Sequence, residues 1–194
     1  IEYNVIPDRI EAGTYLIAAA ITKGDVVLDN VNPHHMGIVL EYLQKAGMKL
    51  IIKNDAIQIL SNKNCTIPVD MKTQIYPGFP TDLQAQWMAL MTQADGPSVI
   101  TETIYTDRFT HIPELSRFGA HIDLVSNKAE IKGNDILVGV PVMSTDIRAS
   151  ASLIIAALKA KGKSTISRIY HIDRGYDNIE VKLSSLGANI VRIK

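Results

Sequence analysis

Apolar positions along the chain recur in two alternating rhythms. Ile10, Thr14, Ile17, Ala18 and Ile21 fall on one face of a helix, and so do Met36, Val39, Leu40 and Leu43, because spacings of three and four stack side chains on a 3.6-residue turn. Between them lie short runs rich in branched residues at 2–6, 26–28, 49–52 and 57–60, which read as strands. The last two strands are joined at the hairpin signal Asn54-Asp55. Gly24 closes the first helix, spanning about 8–23, and Gly47 closes the second as a left-handed cap. The unit is strand, helix, strand, helix, strand, strand.

The unit repeats. A second helix-strand series starts at Thr81, with Leu83, Trp87, Leu90 and Met91 at helical spacing. A strand at 98–104 follows, then a short helix at 111–117 closed by Gly119. A hairpin pairs 121–125 with 129–131 around Ser126-Asn127. A third series has a helix at 145–161 carrying Ile147, Ala151, Ile154, Ile155 and Leu158, then a strand at 165–170. Its second helix carries Ile179, Leu183 and Leu186 and ends at Gly187, and a strand at 189–193 follows. The expectation is one α/β domain of three βαβαββ repeats, about 1–62, 63–134 and 135–194, sharing one core. The third repeat lacks its last hairpin strand, which predicts an unpaired sheet edge. The strand that completes it is expected from outside this stretch, so the sequence reads as part of a longer protein.

Each repeat opens its first helix with an aspartate: Ile6-Pro7-Asp8-Arg9-Ile10, Pro80-Thr81-Asp82-Leu83 and Ser144-Thr145-Asp146-Ile147-Arg148. Thr81 with Gln84 has the form of a capping box. Helix mouths present unsatisfied N–H groups that attract anions. Arg9 and Arg148 stand in first turns, and Arg108 and Arg174 hold comparable places after the strands of the second and third repeats. Converging mouths and guanidinium groups would make a phosphate or carboxylate site, with the aspartates as hydroxyl acceptors or bases. The same residues also read as plain helix caps with neighbouring arginine partners.

Composition narrows the chemistry. The 194 residues are enough for one cored domain, and 46% hydrophobic content excludes a disordered chain. Twenty basic residues balance twenty acidic ones, so no global field draws nucleic acid or an anionic membrane, and any anion site must be local. No apolar run approaches the roughly 20 residues of a membrane helix. The lone Cys65 cannot form an internal disulfide, which fits a reducing compartment, and beyond Lys63 it lacks a basic neighbour to activate it. His34 and His35 read as solvent-exposed in a turn after Pro33, His111 and His121 as flanking structure, while His171 sits beside Asp173 and Arg174. There is no metal-ligand spacing such as CxxC or HExxH and no glycine-rich phosphate loop of the Walker or dinucleotide type.

Five stretches together resemble one family: Ile6 to Thr14, Tyr76-Pro-Gly-Phe-Pro-Thr-Asp-Leu-Gln84, Arg108-Phe-Thr-His-Ile-Pro-Glu-Leu115, Thr145-Asp-Ile-Arg-Ala-Ser-Ala-Ser152 and Tyr170-His-Ile-Asp-Arg-Gly-Tyr176. They are similar, in order and over essentially the whole chain, to the UDP-N-acetylglucosamine enolpyruvyl (1-carboxyvinyl) transferases of bacterial peptidoglycan synthesis. The resemblance implies an inside-out α/β barrel of three repeats, one of two such domains, completed by a segment from the N-terminal part. It implies that the enolpyruvyl group of phosphoenolpyruvate moves to the 3-hydroxyl of UDP-N-acetylglucosamine with release of phosphate, in the cytoplasm and without a cofactor. Asp82 then matches the residue that contacts the sugar hydroxyl and serves as its base. Asp146 matches a carboxylate near the reacting carbons, and Ile104 a backbone contact to the nucleotide sugar. Arg108, Arg148 and Arg174 match arginines of the phosphate region, with Arg174 also at the reaction centre, and Asp8 and Arg9 match residues of the cleft between domains. The family's proton-donating cysteine and its catalytic lysine lie in the other half, which is expected as the partner of this one, and without it the chain should not turn over. The competing reading is a non-catalytic binding or regulatory module that reuses the fold.

Overall fold

The computed structural model describes residues 1–60 and 65–193. The expected repeat boundary near 62 and the neighbouring Lys63 lie outside the described residues. In chain order the first group is α1 (Arg9–Thr22), β1 (Val26–Asp29), a 3-10 turn (Pro33–Met36) leading into α2 (Gly37–Lys45), β2 (Lys49–Ile52) and β3 (Ala56–Leu60). The second is β4 (Met71–Lys72), a 3-10 turn (Thr81–Leu83) leading into α3 (Gln84–Met91), β5 (Ser98–Thr101), α4 (Ile112–Arg117), β6 (Ile122–Val125) and β7 (Lys128–Ile131). The third is β8 (Pro141–Met143), α5 (Ile147–Lys159), β9 (Thr165–Ser167), a 3-10 turn (Ile169–Arg174) and α6 (Ile179–Ser185).

The first helix of each group lies inside. α1, α3 and α5 pack on one another, and every residue of α3 from Gln84 to Met91 is buried. A helix buried on all sides has no solvent face to keep, so it becomes the axis of the core. Around Trp87 of α3, the rings of Tyr42 and Phe79 lie at 5.7 and 5.6 Å in edge-on contact. The strands lie outside, with at least one face in water: β1 alternates between half-buried and exposed residues, and β7 between exposed and buried ones. This is the expected inside-out α/β arrangement.

Three sheets form. In the first, β3 lies between β1 and β2 and is antiparallel to both. In the second, the order is β4-β5-β7-β6, with β4 parallel to β5 and the rest antiparallel. The third is the parallel pair β8-β9. Gly47, Gly119 and Gly187 close α2, α4 and α6 at φ of 90°, 100° and 97°, where a side chain would be strained. The first helix departs from this rule: Lys23, not Gly24, takes the left-handed cap at φ 57°.

Several expected elements are corrected. Residues 2–6 form no strand. Tyr3, Val5 and Ile6 are exposed, and no neighbouring strand among the described residues takes their hydrogen bonds. Residues 189–193 form no strand either, because nothing extends the β8-β9 pair toward them. They are instead held by Arg192, which bridges Asp173 and Glu180. The strand beginning at Ser98 stops at Thr101, where the Glu102 carboxylate turns the chain by accepting the N–H groups of Ile104 and Tyr105. The strand beginning at Thr165 stops at Ser167, because Arg168 adopts φ 58° and starts a 3-10 turn. The short parallel strands β4 and β8 lacked a readable period.

Two glycines test the packing. A Cβ on Gly13 of α1 would lie 2.5 Å from Cδ1 of Leu83, a fully buried side chain, while one on Gly37 meets nothing within 4 Å. Gly13→Ala should therefore cost about 1–3 kcal/mol through overpacking. Gly37→Ala should gain roughly 0.5–1 kcal/mol from reduced backbone entropy. Urea titrations followed by the fluorescence of the single Trp87 would measure both; a loss at Gly37 or a gain at Gly13 contradicts the packing described.

Candidate functional site

The mouths of α3 and α5 and the turn before α6 border one cleft of about 670 Å³, lined by Asp82, Tyr105, Asp107, Arg108, Thr110, Thr145, Asp146, Ile147, Arg148, His171 and Arg174. Five residues singled out in the sequence meet here: Asp82, Arg108, Asp146, Arg148 and Arg174. Asp8, Arg9 and Ile104 are not among its lining residues. Asp8 caps α1 by accepting from the N–H groups of Ile10 and Glu11 at 2.7 and 3.1 Å. The Arg9 guanidinium lies over the Tyr76 ring at 5.2 Å. Ile104 is exposed, with its N–H given to Glu102.

The three repeat-opening aspartates look alike in sequence and differ in structure. Asp8 and Asp146 are true N-caps. Oδ1 of Asp146 accepts from the N–H groups of Arg148 and Ala149 at 2.7 and 2.9 Å, and its Oδ2 accepts from the Thr110 hydroxyl at 3.1 Å. Asp82 caps nothing. The expected Thr81–Gln84 capping box does not form: the preceding cap position is Pro80, with no side-chain bond, and the Thr81 hydroxyl donates instead to Glu102 Oε2 at 2.8 Å. The 3-10 turn carries Asp82 outward, where Oδ1 meets Nη2 of Arg108 at 2.8 Å and Nε of Arg148 at 3.4 Å.

Each arginine is set by a different element. Arg108 also donates from Nη1 to the Thr81 hydroxyl at 3.1 Å. Arg148 in the first turn of α5 reaches the Tyr176 hydroxyl at 3.4 Å. That hydroxyl also bonds Thr14 of α1 at 2.8 Å and accepts from Gln86 of α3 at 3.3 Å, so one polar knot ties the three core helices together behind the cleft. Arg174 is exposed and makes no ion pair among the described residues. Gly175 beside it passes so close to α5 that a Cβ there would lie 2.8 Å from Ile147 Cγ2.

Burial acts to raise the Asp146 pKa, but the Ala149 and Arg148 N–H groups, the Thr110 hydroxyl and the Arg108 charge outweigh it and hold the carboxyl below the usual range. His111, behind the cleft, is fully buried, and burial pushes its imidazole down to about 4, with Asp146 opposing and Arg108 reinforcing the shift. It is a neutral core histidine at pH 7. The sequence did not single out Thr110, Thr145, Glu102 or Tyr176. A hydroxyl next to a motif carries no periodic signal, and Glu102 lies in what reads as a strand. His171 does line the cleft, its ring tilted against that of Tyr170 with centroids 4.2 Å apart.

Asp146→Ala should cost about 0.5–2 kcal/mol of stability at pH 7 through the lost cap. Asp82→Asn, which removes an accessible ion pair, should stay within about 1 kcal/mol of the parent. Because the folded pKa of Asp146 is depressed, its contribution is full above the unfolded value near about 4. It is lost as pH falls through the lower folded value, so the Asp146→Ala deficit should shrink in urea titrations below about pH 4. His111 acts separately. Between about pH 6.5 and 4 the unfolded chain binds a proton that the folded chain refuses, so stability falls on acidification through that window. His111→Gln should flatten this decline; an unchanged slope would remove His111 as its source.

The sequence model of the EPSP synthase (3-phosphoshikimate 1-carboxyvinyltransferase) family matches residues 1–183. A UDP-N-acetylglucosamine 1-carboxyvinyltransferase of Bartonella henselae is 57% identical over 192 residues, covering 98% of this chain and 44% of that protein. One of Geobacter metallireducens is 52% identical over 192 residues, covering 99% and 46%. The chain thus spans a little under half the length of the curated relatives it matches. Among solved structures, the enolpyruvyl transferase NikO from Streptomyces tendae superposes with a TM-score of 0.87 at 25% identity, over 96% of this chain and 44% of that one. EPSP synthase from Acinetobacter baumannii shares the fold at a TM-score of 0.75 and 20% identity. The resemblance carried by the five sequence stretches is borne out, and the chain belongs to the enolpyruvyl (carboxyvinyl) transferase family.

Proposed function

We propose that this chain is one half of a UDP-N-acetylglucosamine enolpyruvyl transferase, a single domain of three repeats that needs a second half to turn over. The supporting observation is the meeting of Asp82, Arg108, Arg148, Arg174 and Asp146 around one cleft, together with the identity of the near-full-chain relatives. The chemistry follows from the charges. The sugar 3-hydroxyl gives its proton to Asp82 as its oxygen bonds to C2 of phosphoenolpyruvate, while C3 takes a proton from the other half. The adduct then loses a proton from C3 and phosphate from C2, restoring the double bond on the sugar ether.

Asp82 is the better base of the two carboxylates. Its side chain is 39% exposed and pairs with Arg108 and Arg148, whereas both oxygens of Asp146 are taken by hydrogen-bond donors. Asp146 serves by anchoring Arg148 through the start of α5. Arg174, free of a partner among the described residues, is the cation available to the leaving phosphate. Ile104 contributes a backbone contact to the nucleotide sugar. Asp8 and Arg9 belong to the face toward the other half, and a cytoplasmic location accompanies the reading. Among the described residues no helix is long and apolar enough to cross a membrane.

The test is phosphate release from phosphoenolpyruvate and UDP-N-acetylglucosamine by this chain mixed with the N-terminal half of the Bartonella henselae relative. Turnover is expected from the mixture and from neither part alone. Asp82→Asn should lower it about 10²–10⁴-fold, the usual scale for a general base, and Arg174→Ala should do so comparably with unchanged stability. A folded mixture that releases no phosphate overturns the reading in favour of a binding module.

A further inference from the structure

Glu102 is fully buried, lies outside the cleft lining, and has no place in the chemistry above. A buried carboxylate without partners would be costly, and this one is saturated. Oε1 accepts the Thr73 hydroxyl at 2.6 Å and the N–H groups of Ile104 and Tyr105 at 2.8 and 3.1 Å, and Oε2 accepts the Thr81 hydroxyl at 2.8 Å. Its own backbone is pinned in both directions by Asn127, whose carbonyl accepts the Glu102 N–H at 2.9 Å and whose Nδ2 donates to the Glu102 carbonyl at 2.8 Å. Thr73 is fixed in turn by Thr103, which donates its N–H to the Thr73 hydroxyl at 2.8 Å.

The direction of the Thr81 bond is the informative feature. A hydroxyl has one proton. Because Thr81 gives its proton to Glu102, its oxygen must face Arg108 as an acceptor, and Arg108 Nη1 donates to it at 3.1 Å. The other terminal nitrogen of that guanidinium, Nη2, holds Asp82 at 2.8 Å. The planar fork of arginine fixes one arm when the other is held. The chain Glu102–Thr81–Arg108–Asp82 therefore runs without a gap from the core to the cleft. The same carboxylate sets the backbone at Ile104 and Tyr105, from which Tyr105 reaches the cleft wall.

We propose that Glu102 is a positioning residue of this site, which orients Arg108 and Asp82 through Thr81 and fixes the Ile104–Tyr105 turn, without touching substrate. The inference rests on the enolpyruvyl transferase reading for its catalytic consequence and on this chain alone for its structural one. Glu102→Gln is nearly isosteric but cannot accept at both oxygens. With its carbonyl kept toward the Ile104 and Tyr105 N–H groups, its amide points at Thr81 and forces that hydroxyl to accept, leaving it a poorer acceptor for Arg108. Thr81→Val cuts the chain one link later and leaves the turn anchored.

Two readouts test this. In the chain alone, the guanidinium nitrogen resonances of Arg108, assigned by comparison with Arg108→Lys, should shift and broaden in both Glu102→Gln and Thr81→Val. In the mixture of halves, each variant should lower turnover at saturating substrate about 10–100-fold, the scale of a misplaced catalytic group. The double variant should be no worse than the weaker single one, because both cut the same chain. Variants that lose stability while keeping the parent Arg108 resonances and turnover, or effects that multiply in the double variant, overturn the proposal. A parent mixture that releases no phosphate defeats the functional reading, and the Arg108 resonances then decide the positioning role by themselves.

Discussion

The structure depends on burying α3 from every side. A helix with no exposed face cannot sit on a sheet with its back to water, so α1 and α5 must close around it and the strands are displaced outward. Some of the polar groups this arrangement traps find one another, while the Gln84 amide and the Trp87 N–H stay without a partner among the described residues. Gln86 of α3 spans Thr14 of α1 and the Tyr176 hydroxyl, which in turn receives Arg148 from α5. Buried networks of this kind fix one relative placement of their elements, since a shifted helix would leave donors unpaired at a cost of about 1–3 kcal/mol each. Core packing thus fixes the distance between the mouths of α3 and α5, and with it the width of the cleft.

Within that frame, function follows from what each aspartate is not required to do. Asp8 and Asp146 each satisfy the first N–H groups of a long helix, so their removal is first a stability problem. The helix after Asp82 is entered through a 3-10 turn and needs no carboxylate cap. Asp82 is therefore released from backbone duty and held only by side chains, Arg108 and Arg148. Glu102 completes the exception by occupying Thr81, the residue that would otherwise have capped the helix. A local departure from capping rules is where a functional constraint is expected to show.

The helices were legible because their periodicity is dense: the apolar stripes of α1, α3 and α5 appear in the sequence where they appear in space. The hairpins were legible through Asn54-Asp55 and Ser126-Asn127. Failures cluster where the decisive partner is remote. The segment at 2–6 has a strand's composition and no strand beside it. The Thr81–Gln84 pair has the form of a capping box, yet Thr81 is claimed by a carboxylate 21 residues away. The parallel strands β4 and β8 have two and three residues, too few to show alternation. At the site, charged residues beside helix mouths were visible, while Thr110, Thr145 and Tyr176 were not, because a hydroxyl gains its role from the neighbour that the fold supplies.

The charge balance has a final consequence for the proposed chemistry. With twenty cationic and twenty anionic residues, the protein as a whole gives an incoming anion no long-range steering. Attraction must come from the few guanidinium groups at the cleft, whose field in salt fades within about 8–10 Å. Arg108 and Arg148 are already partly neutralised by Asp82, and of the three cleft arginines Arg174 alone has no ion pair among the described residues. In an open, wet cleft such charges interact weakly with phosphate, because the effective dielectric is high. Covering the cleft would strengthen every one of these interactions at once. On the proposed reading, a second wall closing over this face meets that electrostatic need, alongside the proton donor that the other half supplies.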